Sequence, residues 1–348
     1  MSEILSTLKQ VADTASTNGV DLNDLVDRDE SFHPNHGGYS IVYKGILHPG
    51  QVIAIKSVRL SPLSDQAAVD FIIEEIRLWS KLDHDHIVPV FGVITKFDFS
   101  VSIAYAWMPK GNAYDYVQNK DIDPRPLLLG IARGLEYLHN HDLGPLVHGD
   151  LRGKNVLISE DGRALLTDYR LSSVIETAFS LTAAAPIHPT VRWLSPEQIR
   201  NDGKATTQAD VWAFGMTALE LFTRMPPYHD VRDTRSIMLR ITDGPPSRPS
   251  NESTCSRMTE MWWEVCTQCW ERNESLRSPI SDIVKKIMTI VRVLLCTHAF
   301  PVTEFGTVRR QFLVNRASLR PHMRFLCLIL AISAPLLACV HSSTCTSY

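Results

Sequence analysis

Apolar and polar positions change their rhythm once along this 348-residue chain. From about residue 35 to 105 the pattern is strand-like. Ile41 to Leu47 and Gln51 to Leu60 are β-rich runs separated by His48-Pro49-Gly50, a turn signal. Ile87 to Val93 and Ser100 to Ala106 return to strand character after one interruption, Gln66 to Leu82, in which Ile72, Ile76 and Trp79 recur at helical spacing. A small sheet carrying one helix is the expected first unit. Residues 1–30 are polar and weakly patterned and read as a lead-in with room for a short helix. Beyond 111 the spacing becomes helical. Leu128, Ile131, Leu135 and Leu138 share one face, Asp210 to Thr223 is apolar enough for a buried helix, Met261, Val265 and Cys269 form a further face, and Ile280 to Leu294 carries the last. Val156 to Ile158 and Ala164 to Thr167 flank Glu160-Asp161-Gly162 and predict a hairpin.

Bulk composition removes some possibilities. A net charge of -3 gives no basic footprint, so no nucleic acid partner is expected. Seven cysteines are too scattered for a disulfide framework. Cys266 and Cys269 form a C-x-x-C without the second pair a zinc site needs, and they fall in an apolar helical pattern, which predicts core thiols. Glu3 and the absence of a long apolar run near Met1 predict no signal peptide. Phe325 to Val340 is apolar apart from Ser333 and follows Arg309, Arg310, Arg316, Arg320 and Arg324, a basic flank. Its 16 residues would span about 24 Å as a helix, less than a hydrocarbon core of about 30 Å. The segment is a candidate membrane anchor, with a docked helix as the alternative.

Candidate chemistry collects at three places. Gly37 and Gly38 lie between two strand runs, where glycine lets backbone N–H groups approach phosphate oxygens. Lys56 sits inside the apolar run Val52-Ile53-Ala54-Ile55 and needs a partner if buried. Glu75, three residues after Ile72 and four before Trp79, shares the inward face of the interrupting helix and supplies one. His148-Gly149-Asp150-Leu151-Arg152-Gly153-Lys154-Asn155 then puts a carboxylate and an amide five residues apart on a short loop. The carboxylate can accept a hydroxyl proton, and the amide oxygen can ligate a hard cation. Asp168 follows the second hairpin strand.

In this order these motifs resemble the eukaryotic protein kinase superfamily, in particular its tyrosine-kinase-like serine/threonine branch, over residues 30–295. The resemblance implies an α+β, bilobal fold: a β-rich N-lobe with one key helix over 31–108, a helical C-lobe over 109–295, and a tail over 296–348. It implies Mg²⁺ and ATP as cofactors, a protein substrate, and a monomer or transient complexes. Lys56 would hold the α- and β-phosphates and Glu75 would hold Lys56. Gly37, Gly38, Val42, Ala54, Ala106, Met108 and Leu157 would surround the nucleotide, with Tyr105 closing the rear of the adenine pocket. Asp150 would be the base, beside Arg152, and Asn155 and Asp168 the metal ligands. Thr190 to Glu197 resembles the segment that ends in A-P-E, Asp210 to Gly215 the helix that anchors the catalytic loop, and Arg277 the partner of Glu197.

The chain also departs from the family pattern. Asn35 and Ser40 replace glycines of the phosphate loop, Gly149 replaces an arginine, Arg170 replaces the D-F-G glycine, and Pro189 precedes Thr190. Gly149 predicts that phosphorylation of Ser172, Ser173, Thr177, Ser180 or Thr182 is not the on-switch. Retention of Thr190 favours serine and threonine substrates, and all five polar groups of the chemistry remain. Asn35, Arg170 and Pro189 keep a second reading open, a pseudokinase acting as a signalling scaffold with or without nucleotide.

Overall fold

The computed structural model describes residues 2–36, 40–58, 66–98, 100–169, 190–200 and 205–296. Gly37, Gly38, Arg170, Pro189, the segment from Ser172 to Thr182, and the tail with Phe325 to Val340 and its arginines lie outside the described residues.

The alternating runs form one antiparallel sheet. Its strands are β1 (Val26–Arg28), β2 (Asn35–His36), β3 (Ser40–Leu47), β4 (Gln51–Val58), β5 (Val90–Ile94) and β6 (Val101–Ala106). The order is β1-β3-β4-β6-β5, with β2 paired to β3. Register follows from the period-two pattern. Val42 lies opposite Lys56, and Ala54 lies between Lys44 and Tyr105. Ile53 and Ile55 point the other way, into a small core with Leu22, Val26, Ile94 and Ala104. One face of β4 therefore carries Ala54 and Lys56, and the opposite face holds the sheet together.

Two helices lie on this lobe. α1 (Ser2–Thr17) and α2 (Gln66–Trp79) pack against one another and against β5. Leu8, Val11 and Ala15 of α1 are buried in the same core as Val69, Ile73, Ile76 and Trp79 of α2. The lead-in is thus folded onto the sheet, and β1 gives it a strand. Val20 and Leu22 exchange backbone hydrogen bonds with Val93. Gly92, at φ +155°, passes so close that a Cβ there would meet the Val20 carbonyl oxygen at 2.3 Å.

The second lobe contains α3 (Ala113–Tyr116), α4 (Pro124–His139), the hairpin β7 (Val156–Ile158) and β8 (Ala164–Leu166), α5 (Pro196–Arg200), α6 (Thr207–Thr223), α7 (Thr234–Asp243), α8 (Glu260–Cys269) and α9 (Ile280–Cys296). The α4 start is fixed by Asp123, whose carboxylate accepts from the Arg125 N–H, with Pro124 at the first helical position. α6 is capped by Thr206 and buried on all sides from Ala209 to Phe222, so it runs through the lobe's centre. Cys266 and Cys269 are buried core thiols, as expected, and burial pushes the Cys266 thiol up to about 12. The architecture is α+β with a curled-sheet lobe and a helical lobe. Backbone bonds from Val88 N–H to Leu166 O and from Leu166 N–H to His86 O stitch the two together behind the cleft. No described helix is long and apolar enough to cross a membrane.

Candidate active site

The floor of the cleft is the loop from His148 to Asn155, which has almost no backbone ladder of its own. Buried α6 carboxylates hold it. Asp210 accepts from the His148 N–H at 2.7 Å, the Gly149 N–H at 2.9 Å and His139 Nε2 at 2.9 Å. Thr217 Oγ1 donates to the Ala213 carbonyl of its own helix at 2.8 Å and lies 3.4 Å from the Leu151 carbonyl. Glu220 Oε2 accepts from the Gly153 N–H at 2.8 Å. Charge-assisted bonds of this kind are roughly twice as strong as neutral ones. Gly149 adopts φ +80°, a region that favours glycine. His148 is fully buried, and desolvation lowers its imidazole pKa against the pull of Asp210, so it is held neutral near pH 7.

On this floor the chemistry-bearing side chains converge. Asn155 Nδ2 donates to both the Asp150 carbonyl at 2.7 Å and Asp150 Oδ2 at 2.8 Å, which turns its Oδ1 away from that carboxylate. Arg152 reaches Asp150 Oδ2 at 3.6 Å. From the roof, Lys56 Nζ meets Asp168 Oδ2 at 2.5 Å. Lys56 thus ion-pairs with Asp168, the residue that the resemblance gives to the metal. Glu75 is buried on α2. Asp168 reaches its position from a left-handed backbone at φ +63°, an unusual state for a non-glycine residue of the kind found at functional sites.

Ala54, Ala106, Met108 and Leu157 are half-buried apolar residues on the edge of the core. Ala54 lies on β4, Ala106 ends β6, and Leu157 lies on β7, bridged to Asn112. Val42 lies on β3, opposite Lys56 of β4. Tyr105 of β6 is buried, and desolvation pushes its phenol well above the usual value. Behind Asp168, the Tyr169 ring packs edge-on to Trp79 of α2 at 5.6 Å and to His148 at 6.4 Å. The position of α2 is thereby tied to the loop. On the far side, Arg277 forms a two-pronged pair with Glu197, at 2.6 and 3.1 Å.

The residues suit a magnesium-nucleotide. Asp168 Oδ1 is buried with no hydrogen-bond partner, and Asn155 offers an amide oxygen, so two hard oxygen donors are available to a cation. Lys56 beside Asp168 puts a positive group where phosphate oxygens need one. No cluster of three or more His, Cys, Asp or Glu side chains suited to holding a metal occurs among the described residues.

This arrangement is that of a protein kinase domain. A family model described as protein tyrosine and serine/threonine kinase matches residues 34–287, and the chain belongs to that family. It is 29% identical over 256 residues to cell division control protein 7 of Schizosaccharomyces pombe, covering 72% of this chain and 22% of that protein. To mitogen-activated protein kinase kinase kinase 3 of Arabidopsis thaliana it is 27% identical over 261 residues, 72% of this chain and 38% of that one. To the probable serine/threonine-protein kinase PBL21 of the same plant it is 32% identical over 195 residues, 54% of this chain and 50% of that one. The chain therefore spans between about a fifth and a half of the length of these relatives.

Glu220 was not among the residues singled out from the sequence. A signal was present: a glutamate within an otherwise apolar helix must find partners or carry a large desolvation cost. Glu220 finds Gly153 and Trp193.

Proposed function

We propose that this kinase domain transfers the γ-phosphate of Mg·ATP to serine and threonine hydroxyls of proteins. The observation that carries this reading is the convergence of Lys56, Asp168, Asn155 and Asp150 within one cleft, on a loop anchored by Asp210. In the proposed roles, Asp150 accepts the proton of the incoming hydroxyl and aims its oxygen. Arg152 stands beside that carboxylate and balances its charge. Lys56 orients the α- and β-phosphates, with Glu75 on α2 as the buried acidic group next to that site. Asn155 and Asp168 hold the ion, which when bound neutralises charge that builds up across the β- and γ-phosphates. Gly37, Gly38, Val42, Ala54, Ala106, Met108 and Leu157 enclose the nucleotide, and Tyr105 limits its depth. The retained Thr190 and the serine/threonine kinases among the relatives support hydroxyl substrates of that class.

Transfer of radiolabel from ATP to a generic serine/threonine substrate tests the proposal. The wild type is expected to incorporate label, and Asp150→Asn to fall at least a hundredfold. Equal incorporation by both would overturn the enzyme reading in favour of a scaffold. The scaffold is the reading that Asn35 favours, since it sits in β2 paired to Val42 where the family has glycine.

A further inference from the structure

We propose that the gap between α1 and the turn joining β5 to β6 is a binding site for a small amphiphilic carboxylate, an alkanoate whose chain rests on α1 and whose head meets Lys9 and Lys96. The gap has a volume of about 300 Å³, at the lower end of the range for small-ligand sites, about 300–1,000 Å³. Leu5, Leu8 and Ala12 line one side, at the i, i+3, i+7 spacing of a single helical face. Leu8 is 7% exposed and belongs to the core shared with α2, whereas Leu5 is 49% exposed. A large apolar side chain is thus left half in water next to a buried one. Polar groups complete the lining: Thr95, Lys96 and Asp98 from the turn, and Lys9 from α1.

Both walls are fixed before a ligand arrives. In the turn, Asn23 Oδ1 accepts from the Thr95 N–H at 2.9 Å and the Lys96 N–H at 3.0 Å, and Asn23 Nδ2 donates to Thr95 Oγ1 at 3.0 Å. Arg28 lies over the rings of Tyr43 at 3.9 Å and Phe97 at 4.4 Å, and it donates to both oxygens of Asp98, at 3.2 and 2.6 Å. On the other side, Val11 and Ala15 anchor α1 in the core, and Arg77 of α2 donates to Asn18 Oδ1 at 3.1 Å. A preformed gap asks little ordering of the protein on binding. The charge around it selects the ligand. The hydrogen bonds from Arg28 hold the Asp98 carboxyl below its usual value, so this acid is ionised and already matched. Lys9 and Lys96 are exposed, and among the described residues neither forms an ion pair; Lys96 lies 5.2 Å over the Phe97 ring. Thr95 Oγ1 accepts from Asn23, which leaves its O–H to donate. Two cations and a hydroxyl donor beside an apolar wall are complementary to a carboxylate that carries an alkyl chain.

Sodium decanoate, kept below its micelle concentration, is the probe, titrated into the full chain and followed by amide resonances. Those of Lys9, Ala12, Thr95 and Lys96 should shift together and saturate on one isotherm. Decanol lacks the charge and acetate lacks the chain, so each should bind at least about tenfold more weakly. A double variant with Lys9→Glu and Lys96→Glu changes only exposed side chains. It should keep the wild-type Tm, lose decanoate binding by at least about tenfold, and bind decylammonium instead. Ala12→Trp should fill the gap and abolish the saturating shifts. If that variant fails to fold, the charge-reversed one decides. Shifts that grow without saturating, decanol bound as tightly as decanoate, or undiminished decanoate binding by the double variant would overturn the inference.

Discussion

Removing Glu197 should be among the most damaging single truncations outside the cleft. The reason lies with the partner it leaves behind. Arg277 has a fully buried side chain, against 11% exposure for Glu197. Its guanidinium makes four hydrogen bonds: two to the Glu197 carboxylate, one from Nε to the Glu271 carbonyl at 2.9 Å, and one from Nη1 to the Gln208 carbonyl at 2.7 Å. It also lies 5.3 Å over the Trp212 ring. Glu197→Ala strands this charge with two carbonyls and a ring, which costs about 3–5 kcal/mol. For a domain of roughly 250 residues, about 2 °C per kcal/mol converts this to a fall in Tm of about 6–10 °C. Arg277→Met should cost less, on the order of 2 kcal/mol, because the remaining carboxylate sits nearer to water. In the double variant the buried charge is gone, so the two losses should not add, and the coupling should reach at least about 1.5 kcal/mol. Urea unfolding of the four proteins measures all of this. The pH dependence provides a second reading. Burial raises the Glu197 carboxyl, but the hydrogen bonds and charge of Arg277 outweigh it and hold the group below its usual 4.5. The wild-type advantage over Glu197→Ala should be complete above that value and fade as pH falls through the lower folded one. A loss below about 1 kcal/mol for Glu197→Ala, or additive losses within about 0.5 kcal/mol, would refute the reasoning.

Other outcomes follow from the same kind of accounting. Asp210→Asn turns one of the two oxygens that hold the His148 and Gly149 N–H groups into a donor. It should cost about 2 kcal/mol and depress phosphate transfer more than Mg·ATP binding, read by urea unfolding, the radiolabel assay and thermal shift. Leu8→Ala on α1 should cost about 2–3 kcal/mol, near the low end for a buried leucine because the site is not fully enclosed; an unchanged Tm would mean that α1 does not brace α2. His86 is buried against the Ala164 carbonyl, and desolvation lowers its imidazole to about 4 from an unfolded value of 6.5. Its contribution to stability should be complete above 6.5 and lost as pH falls toward 4, and urea midpoints of a His86→Gln variant should lack that slope.

Much of the architecture was legible because it is written locally. The strand runs announced β3 to β6, and a lysine in an apolar strand pointed to a partnered charge. The spacing of Asp150 and Asn155 needed only a loop to become a shared site. The Glu197–Arg277 pair was readable because each residue sits in a recognisable segment. What stayed hidden was set by packing between distant parts of the chain. The apolar positions of α1, Leu8, Val11 and Ala15, are too dilute among polar neighbours to reveal that the helix has a surface to cover, and only α2 supplies one. The contact between Lys56 and Asp168 depends on the left-handed backbone at Asp168, which the sequence does not fix in advance. Glu220 was overlooked because its helix was read for apolar content, and its donors come from residues 27 and 67 positions away.

Hanging the catalytic loop from α6 has a consequence for solvent exchange. Loop amides usually trade their hydrogens for deuterium quickly, since water reaches them without disturbing anything else. The amides of His148, Gly149 and Gly153 instead end on oxygens of a helix sealed inside the lower lobe. Their hydrogens can escape only when that lobe opens, so this short irregular stretch should keep its protons about as long as the helix that carries it.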